Sequence, residues 1–366
     1  ESHSASFALL AYASAYLKVH YLAAFTVALL NNQPMGFYHP STIVKDAQRH
    51  GLKMLPADIL RSGWLCTIEE SMADGRRPMA SRQDDSKFTH CHSERSEESA
   101  VAIDHRPLTV DLAVRLGLRY VRGLREDAAR ALLRERNKRP FDSITDLARR
   151  VPELRKPELT MLAQVGALNS LGANLDVSTD DQMTRSPDVP ITRFHRRDAL
   201  WQVAKAAQGV GPLLHDIAEP DALSPLQQMN NEERLVADFA GTGLTVGPHP
   251  MAYQRDELRK RGVLTAIELE TTPNGKWVKA AGCVIARQRP GTAHGFVFLS
   301  LEDETGIANA IITPDIYEKY RIELVSTRFL LVEGVLQHQD NVISVRAQKI
   351  SPLAITAAET RSHDFH

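Results

Sequence analysis

The passage from Gly295 to Tyr320, GFVFLSLEDETGIANAIITPDIYEKY, constrains the fold of this chain more than any other. Phe296 to Leu301 is rich in aromatic and branched residues, as strands are, and Asp303 to Gly306 has the composition of a tight turn. Ile307 to Ile312 repeats the strand pattern, and Pro314 is favoured in the first turn of a helix. The sequence therefore predicts a β-hairpin followed by a short helix.

Three further segments with the strand pattern accompany this hairpin, and their order is typical of an OB-fold, a small five-stranded barrel. OB-folds bind oligonucleotides through one strand face and through the loops between strands one and two and strands four and five. Those loops are here Gln288 to His294 and His338 to Asp340, and Trp277 is predicted to lie in the barrel core. The predicted strands are Lys276–Arg287, Gly295–Glu302, Ile307–Ile312, Phe329–Gln337 and Asn341–Ile350, with a helix over Pro314–Tyr320.

Alternation along the second predicted strand separates a core face from an outer face. Val297, Leu299 and Leu301 point to the core, so Phe296 and Phe298 point outward. Two interpretations of these rings stay open: they stack on unpaired bases, at about 1–3 kcal/mol per base, or they close the barrel end and pack on the helix. If they stack, the cations expected to contact phosphates are Arg287, Arg289 and His294.

The overall charge excludes a uniformly basic nucleic-acid binder. The 366 residues include 44 Lys and Arg against 45 Asp and Glu, a net charge of -1, so phosphate contact must depend on local charge. The acidic residues of the turn have no partner His or Cys nearby and are interpreted as turn and solubility residues, not as a catalytic site. They are Glu302, Asp303 and Glu304.

Local positive charge is concentrated in a second helical region, which begins at Val110. Two helices joined by Arg122, Gly123, Leu124 and Arg125 fit a helix-hairpin-helix, in which backbone N–H groups face a phosphate. Between Asp111 and Val165 there are 13 Lys and Arg against 8 Asp and Glu, an excess of five positive charges that favours this reading over a plain turn between helices. Arg125 stands where the usual motif has a second glycine, so it either blocks close approach or contacts phosphate itself.

The N-terminal segment is predicted to form an apolar bundle of core helices. Ser4 is the expected cap of a first helix that runs to about His20, and the second helix covers Ala23 to Leu30. A third runs from Pro40 to His50 and is ended by Gly51.

The chain is thus predicted to be a multi-domain α+β protein, with an N-terminal all-α bundle that includes the helix-hairpin-helix module and a C-terminal OB-fold barrel. A polar stretch between its helical parts has too few apolar residues to offset its ordering entropy and is predicted to be disordered. The division is helical region 1–70, disordered insertion 71–107, helix-hairpin-helix module 108–172, loop and helical linker 173–275, OB-fold 276–352 and tail 353–366.

Cysteine and histidine positions point to no metal site. Cys66, Cys91 and Cys283 lie far apart, as expected for a cytoplasmic protein, and His90, Cys91, His92 and His105 lie in a polar stretch with no zinc-ligand spacing. The apolar run Ala5 to Leu17 is shorter than the roughly 20 residues of a membrane span.

Five segments resemble the C-terminal half of bacterial C-family DNA polymerases, of the error-prone alpha-subunit type. The resemblance covers nearly the whole chain apart from its two polar stretches, and the runs NNQPMGFY and RQRPGTA are specific to that subgroup. The five segments are ESHSASFALLAYASAYLKVHYLAAFTVALLNNQPMGFY, GLKMLPADI, LGLRYVRGLREDAARALL, RQRPGTAHGFVFLSLEDETGIAN and the terminal SHDFH.

This resemblance implies a place for each part of the chain. Residues 1 to about 70 correspond to the end of the fingers, residues 108–170 to a tandem helix-hairpin-helix module that grips duplex DNA, and the barrel to a domain that meets single-stranded template. A fingers motif is matched by position, which implies a basic group near the nucleotide or template, although surface charges on a core helix are an alternative. Its residues are Ser2, His3, Lys18 and His20.

In such polymerases, acidic side chains of the palm hold two magnesium ions for nucleotide addition. The family pattern places the palm upstream of Glu1, and no Asp-x-Asp pair in a strand replaces it here, so this chain is expected to have no catalytic residue and no cofactor of its own and not to polymerise alone. Magnesium is implied for the full-length family.

Two functions follow as hypotheses. The first is the DNA-binding portion of an error-prone polymerase of translesion, damage-induced mutagenesis and DNA repair, with primer–template duplex and single-stranded template as partners. The second is a non-catalytic module that docks accessory proteins, among them a sliding clamp or polymerase-like proteins. Gln227-Gln228-Met229 resembles a clamp-docking peptide but lacks the trailing pair of hydrophobic residues.

Overall fold

The computed structural model describes residues 2–35, 38–70, 112–174, 195–206, 224–339, 342–355 and 363–365. The predicted disordered insertion, 71–107, lies outside these residues. Cys91 and the neighbouring histidines also lie outside them, while Cys66 and Cys283 are buried free thiols.

Three helices open the chain at nearly the predicted positions: α1 is Ser2–His20, α2 is Leu22–Asn31 and α3 is Pro40–Arg49. The prediction of Ser4 as a cap is wrong, because α1 begins at Ser2 and contains it. Gly51, at φ +86°, ends α3 in the left-handed region as expected.

The prediction that α1 is a core helix is wrong. Its apolar side chains are largely in solvent: Leu9 is 69% exposed, Tyr12 73% and Val19 75%. Near its C-terminal end Lys18 pairs with Asp46 of α3 at 2.8 Å. The continuous apolar sequence therefore predicted a helix correctly here, but it did not predict whether that helix is buried.

In the described part of the chain, no single helix has both the length and the apolar composition needed to cross a membrane. The pair α1 and α2 meets both criteria jointly, but its two helices are bent by 119° at the break between them.

A small three-stranded sheet follows, with β1 at Lys53–Leu55, β2 at Thr67–Glu70 and β3 at Leu112–Arg115, in the order β1-β3-β2. The helix predicted from Val110 is therefore wrong, because Leu112–Arg115 pairs with both neighbouring strands. The β3 strand brings Val114, fully buried, into the core of the helical region. Strand pairing with residues far away in the sequence overrides the helical pattern here.

In the helical region after this sheet, the second helix of the hairpin predicted at residues 122–125 is present, but only a short 3-10 turn stands where the first helix was predicted. A 3-10 turn at Leu118–Tyr120 precedes α4, Glu126–Lys138; then come α5, Ile144–Arg150, α6, Lys156–Gln164, and a 3-10 turn at Asn169–Asn174. Their buried apolar side chains form one core with those of α2 and α3; among the fully buried ones are Leu118, Leu132, Leu147 and Leu162.

In the described ranges between this region and the barrel lie four α-helices: α7, Arg196–Ala206, α8, Asn231–Thr242, α9, Arg255–Lys260, and α10, Ala266–Thr271. Helix α7 buries Ala199 and Val203 in the helical core. Helix α8 approaches α6 so closely that a Cβ on Gly241 would lie 2.2 Å from Val165 Cγ1. Both helices are therefore packed elements and not an extended linker.

The C-terminal strands close into the predicted five-stranded OB barrel. In the order β4-β5-β6-β8-β7 each strand pairs with the next, and β7 pairs back with β4 to close the barrel. Two helices, α11, Pro314–Lys319, and α12, Arg321–Ser326, connect β6 to β7, and Leu324 of α12 reaches the core. The strands are β4, Trp277–Gln288, β5, Val297–Glu302, β6, Ile307–Ile312, β7, Phe329–Gln339, and β8, Val342–Pro352.

Alternation in β5 is confirmed, since Val297, Leu299 and Leu301 are at most 5% exposed. The prediction for Trp277 is wrong: the side chain is 50% exposed at the beginning of β4. The register of β7 on β8 shifts at Gly334, where a Cβ would lie 2.0 Å from the carbonyl oxygen of Arg346. Beyond β8, a short strand β9, His363–Phe365, pairs in parallel with Ala286–Gln288 of β4.

The acidic turn between β5 and β6, defined by Glu302, Asp303 and Glu304, joins the barrel to the rest of the chain. Glu302 is 3% exposed and accepts a hydrogen bond from Arg49 of α3 at 3.0 Å. Glu304 forms a two-bond ion pair with Arg255 of α9. The interpretation of these carboxylates as solubility residues is therefore wrong, because all three are partners of arginines, with Glu302 and Asp303 buried and Glu304 half-buried.

Lys45 belongs to the same junction. Its ammonium donates to the Gly247 carbonyl and, at 2.8 Å, to Gln48 Oε1. Burial lowers its pKa to about 8, although the carboxylates of Glu302 and Asp238 act in the opposite direction. Lys45 therefore joins α3 to the segment that follows α8.

Candidate nucleic-acid interface

Two hairpins of the helical region repeat each other 30 residues apart. In the first, Leu124 N donates to Val121 O at 3.2 Å, and in the second, Leu154 N donates to Val151 O at 3.1 Å. The first opens α4 and the second opens α6. The first has Gly123 at φ +77° with open space where a Cβ would be, whereas Glu153 occupies the matching place in the second.

Glu158 of α6 connects the two hairpins, and the sequence reading missed it. This side chain is 4% exposed, and its carboxylate accepts from the backbone N–H of Arg125 at 3.0 Å and of Arg155 at 2.8 Å. Burial by itself would raise the pKa of the carboxyl, but hydrogen bonds from Arg125 and Arg155 outweigh burial and hold that pKa below its usual value. One ionised carboxylate thus caps the first turns of both helices.

The two arginines predicted at the first hairpin have partners within the chain. Arg125 donates to both oxygens of Glu158, each at 3.1 Å, and to Asp127 Oδ2 at 2.9 Å. The backbone N–H of Arg122 donates to Gly241 O at 2.7 Å, and its guanidinium donates to Ala240 O at 3.3 Å. Leu124 is buried, while Gly123 is exposed.

The outer face of the barrel has a row of side chains across three strands. Phe298 of β5 pairs with Ile311 of β6, which pairs in turn with Arg346 of β8. The Phe298 ring is 38% exposed, and Arg346 is exposed two strands away, about 10 Å by strand spacing. Arg346 is a second residue that the sequence reading missed; outward alternation in β8 was the signal that could have identified it.

The other predicted residues of the barrel lie around the β4–β5 loop. Phe296 precedes β5, is half-buried, and its N–H donates to Ala293 O at 3.0 Å. The guanidinium of Arg289 lies 4.5 Å from the centroid of the Tyr317 ring. Arg287 donates to Thr327 O at 2.7 Å, so this guanidinium also supports the segment before β7. His294 is exposed at φ +50°.

The structure does not bring the four predicted fingers residues together. Ser2 and His3 lie at the first turn of α1, whereas Lys18 and His20 lie at its last, about 24 Å away by helix rise. The His3 ring is 4.6 Å from that of Phe7, and the His20 ring is 4.3 Å from that of Tyr16.

Within the described ranges, no group of three or more His, Cys, Asp or Glu side chains is arranged to hold a metal ion. The carboxylates of the acidic turn face arginines instead of one another, and Glu302 Oε2 also lies 3.8 Å from His249 Nε2, so the prediction that these residues have no His nearby is wrong. The described residues do not fit the two-magnesium centre of a polymerase, and magnesium stays a prediction for the full-length family.

The residues that resemble a clamp-docking peptide, Gln227 to Met229, precede α8 in irregular backbone. The carbonyl of Gln227 accepts from Arg197 Nη1 at 3.0 Å. Clamp docking stays a prediction.

Two family models match this chain. One, described as a helix-hairpin-helix motif, covers residues 51–176, and the other, described as an OB-fold nucleic acid binding domain, covers residues 278–353. The first includes both hairpins, and the second includes the barrel from β4 to the end of β8. These modules indicate nucleic-acid binding.

Curated relatives match the chain from end to end. It is 40% identical over 367 residues to an error-prone DNA polymerase of Anaeromyxobacter sp. (strain K), covering 100% of this chain and 28% of that protein. The corresponding proteins of Alkalilimnicola ehrlichii and Azoarcus sp. (strain BH72) are 38% and 39% identical, with 100% of this chain and 30% of each protein covered. The chain thus spans less than a third of the length of these relatives.

Among solved structures, an asparaginyl-tRNA synthetase from Pyrococcus horikoshii matches 27% of this chain and 24% of its own, at 23% identity and a TM-score of 0.23.

Proposed function

The chain is related along its whole length to the C-terminal part of error-prone DNA polymerases, and from this premise we propose that it is the DNA-binding portion of such an enzyme. In this proposal the helix-hairpin-helix region holds the primer–template duplex and the barrel holds the single-stranded template ahead of it. In the same proposal, the described residues serve the grip on DNA.

One observation carries the proposal: an exposed aromatic ring and an arginine share a row on the outer face of the barrel. The ring of Phe298 offers a stacking surface to any base, and Arg346 offers a charge to the backbone in the same row. Both lie in the domain whose family model is described as nucleic-acid binding. Stacking with a nearby cation supports binding of a single strand without sequence preference.

The proposal predicts salt-dependent binding to DNA. Counterion release makes the affinity for duplex fall with a slope of about −0.9 per phosphate contact, so four contacts would lower the affinity on the order of 100-fold between 50 and 200 mM salt. Fluorescence anisotropy with a labelled primer–template and a labelled single strand would measure both affinities across this range. The absence of binding even at 50 mM salt would contradict the proposal.

Phe298→Ala is expected to weaken binding of the single strand by about 1–3 kcal/mol, or roughly 5- to 150-fold, and to leave duplex affinity unchanged. Phe298→Leu is the matched variant, because it keeps apolar bulk but removes the aromatic face. If the ring stacks on a base, both variants lose affinity. If single-strand affinity survives both changes, the ring serves packing and the proposed template site on the barrel is wrong.

A second candidate function, docking of an accessory protein, is favoured by a groove beside the barrel. The groove, of about 340 Å³, lies between α10 and the first residues of β6 and β8. Apolar side chains at and near it are in solvent: Ile307 is 42% exposed, Val342 58% and Ile267 of α10 56%. Exposed apolar side chains around a groove are typical of protein contact. DNA binding that is weak and insensitive to salt would favour this function over the first.

A further inference from the structure

The first hairpin rests on the C-terminal end of α8, and one residue makes both hydrogen bonds. The last carbonyls of an α-helix have no partner within the helix and need donors from elsewhere. Two carbonyls at the end of α8 receive them from Arg122: Gly241 O accepts from its backbone N–H at 2.7 Å, and Ala240 O accepts from its guanidinium at 3.3 Å. The hairpin thus completes the end of a helix more than 100 residues away in the sequence.

The end of α8 is itself fixed in place. At Gly241 a Cβ would lie 2.2 Å from Val165 Cγ1 and 3.1 Å from Met161 Sδ, so α8 packs directly on α6. Gly243 ends the helix in the left-handed region, at φ +78°, and its N–H donates to Phe239 O at 2.9 Å. The carbonyls that hold Arg122 therefore belong to a packed and capped helix end.

Gly243 also leaves room for the Arg122 guanidinium. A Cβ on Gly243 would lie 2.9 Å from Arg122 Nη2 and 3.6 Å from Arg122 Cζ. The atoms that it would meet are the far end of a long flexible side chain, so a methyl group at Gly243 would displace the guanidinium without requiring a shift of the hairpin backbone. The position of this charge therefore depends on a glycine that lies outside the hairpin.

The charge of Arg122 is available to an anion. The residue is exposed, and no carboxylate among the described residues forms an ion pair with it, whereas Arg125 pairs with Glu158 and Asp127. A guanidinium has five N–H donors in a fork, so the hydrogen bond to Ala240 leaves several for the oxygens of a phosphate. The partial negative charge at the end of α8 favours a cation at this place.

The hairpin backbone next to Arg122 is open as well. Gly123 is exposed, and nothing lies within 4 Å of the position that its Cβ would occupy. An anion can therefore approach the tip closely, and a guanidinium held one residue away lies next to its path. Held side chains lose less conformational entropy on binding than free ones, which is why a fixed cation binds phosphate more tightly than a mobile cation.

We propose that Arg122 contacts a phosphate of the DNA backbone, and that residues 240–243 at the end of α8 position its guanidinium for this contact. The role given to Arg122 rests on the proposed function. It sharpens that function by naming one cation of the first hairpin, and it gives α8, which lies between the helical region and the barrel in the sequence, a part in holding duplex DNA.

Fluorescence anisotropy with the labelled primer–template, from 50 to 200 mM salt, would compare variants of the full chain. Arg122→Gln removes the charge, Gly243→Ala displaces it, and the double variant does both. The matched controls are Arg261→Gln, an exposed arginine at the end of α9, and Gly262→Ala, at φ +73° with nothing within 4 Å of its Cβ position. Gly262→Ala introduces similar backbone strain but leaves Arg122 untouched, and circular dichroism would confirm that each variant is folded.

Arg122→Gln is expected to reduce the steepness of the salt dependence by about 0.9, the share of one phosphate contact, and to lower affinity on the order of tenfold at 100 mM salt. Gly243→Ala is expected to lower affinity in the parent chain but to add no further loss to Arg122→Gln, because both changes act on the same guanidinium. The two controls are expected to keep the slope and affinity of the parent chain.

Three results would overturn the proposal. If the parent chain binds DNA and Arg122→Gln keeps its slope and affinity, Arg122 does not contact phosphate. If Gly243→Ala binds as Gly262→Ala does, or if its loss simply adds to that of Arg122→Gln, the end of α8 does not position this charge. Each of these results leaves the proposed function intact, whereas a parent chain that binds no DNA contradicts the proposed function as well.

Discussion

Asp303→Ala is expected to lower the free energy of unfolding of the barrel by about 3–5 kcal/mol, because it breaks a buried, fully hydrogen-bonded charge. Asp303 is 2% exposed; one of its oxygens accepts from Thr305 N, Thr305 Oγ and Gly306 N, and the other from Arg255 and Ala266 N. A loss of this size is a large part of the 5–15 kcal/mol typical of a domain. Urea denaturation followed by circular dichroism would measure it.

The matched control for this change is Asp256→Ala. Asp256 is also an aspartate next to the junction, but it is exposed in the first turn of α9. Asp256→Ala should lower the free energy of unfolding by less than about 1 kcal/mol, which is the usual stabilisation by a negative charge at a helix N-terminus. If both variants cost the same, the acidic turn does not hold the barrel to the connecting helices, and our account of this junction is incorrect.

Glu158→Ala is expected to lower the free energy of unfolding of the helical region by about 2–4 kcal/mol. The change removes the acceptor of two helix caps, at about 1 kcal/mol each, and leaves the Arg125 guanidinium without its partly buried partner. The pKa of the Glu158 carboxyl is lower in the folded chain than its value of about 4.5 in the unfolded chain. The stability that the Glu158 charge contributes should therefore be present in full above about pH 4.5 and should be lost as the pH falls through the lower pKa of the folded chain.

Tryptophan fluorescence during urea denaturation at pH 7 and at pH 3.5 would measure the cost of Glu158→Ala at both values. Glu153→Ala provides the control, since Glu153 is an exposed glutamate in the same hairpin. We expect the free energies of unfolding of the two variants to differ at pH 7 and to differ less at pH 3.5. A cost that is equal at both pH values would mean that the Glu158 charge contributes nothing and that only its packing matters.

These two carboxylates have a common role. Asp303 holds a β-hairpin against the helices that lead into the barrel, and Glu158 holds one helical hairpin against the other. In both places the carboxylate also holds an arginine: Asp303 holds Arg255, and Glu158 holds Arg125.

The sequence predicted the barrel well because its evidence is local. Alternation in β5, turn residues after it and proline at the start of α11 each act within a few positions, and the structure confirms all three. The same local reading was wrong at β3, where a helical pattern over Leu112–Arg115 gave way to pairing with β1 and β2. Pairing of that kind depends on segments more than 40 residues away.

The sequence could predict which residues are candidates for the site and which face of a strand they occupy, but not which partners their side chains contact. The sequence placed Phe298 on the outer barrel face, and the structure finds it exposed there. It could not show that Arg122 and Arg125 would find partners at Ala240 and Glu158, because those contacts span 118 and 33 positions. Arginine in a motif indicates a possible phosphate contact, but only the surrounding side chains decide whether its charge is free.

The sequence alone thus determined the order of domains, the family resemblance and the hairpin of Gly295–Tyr320, since strand period, turn chemistry and motif spacing are properties of neighbouring residues. Only the tertiary structure decided that the turn of this hairpin is a buried junction, where Arg49 meets Glu302 across 253 positions. Burial and ion pairing depend on which distant residues the folded chain brings together. The acidic residues that the sequence analysis interpreted as turn and solubility residues therefore connect the helical region to the barrel.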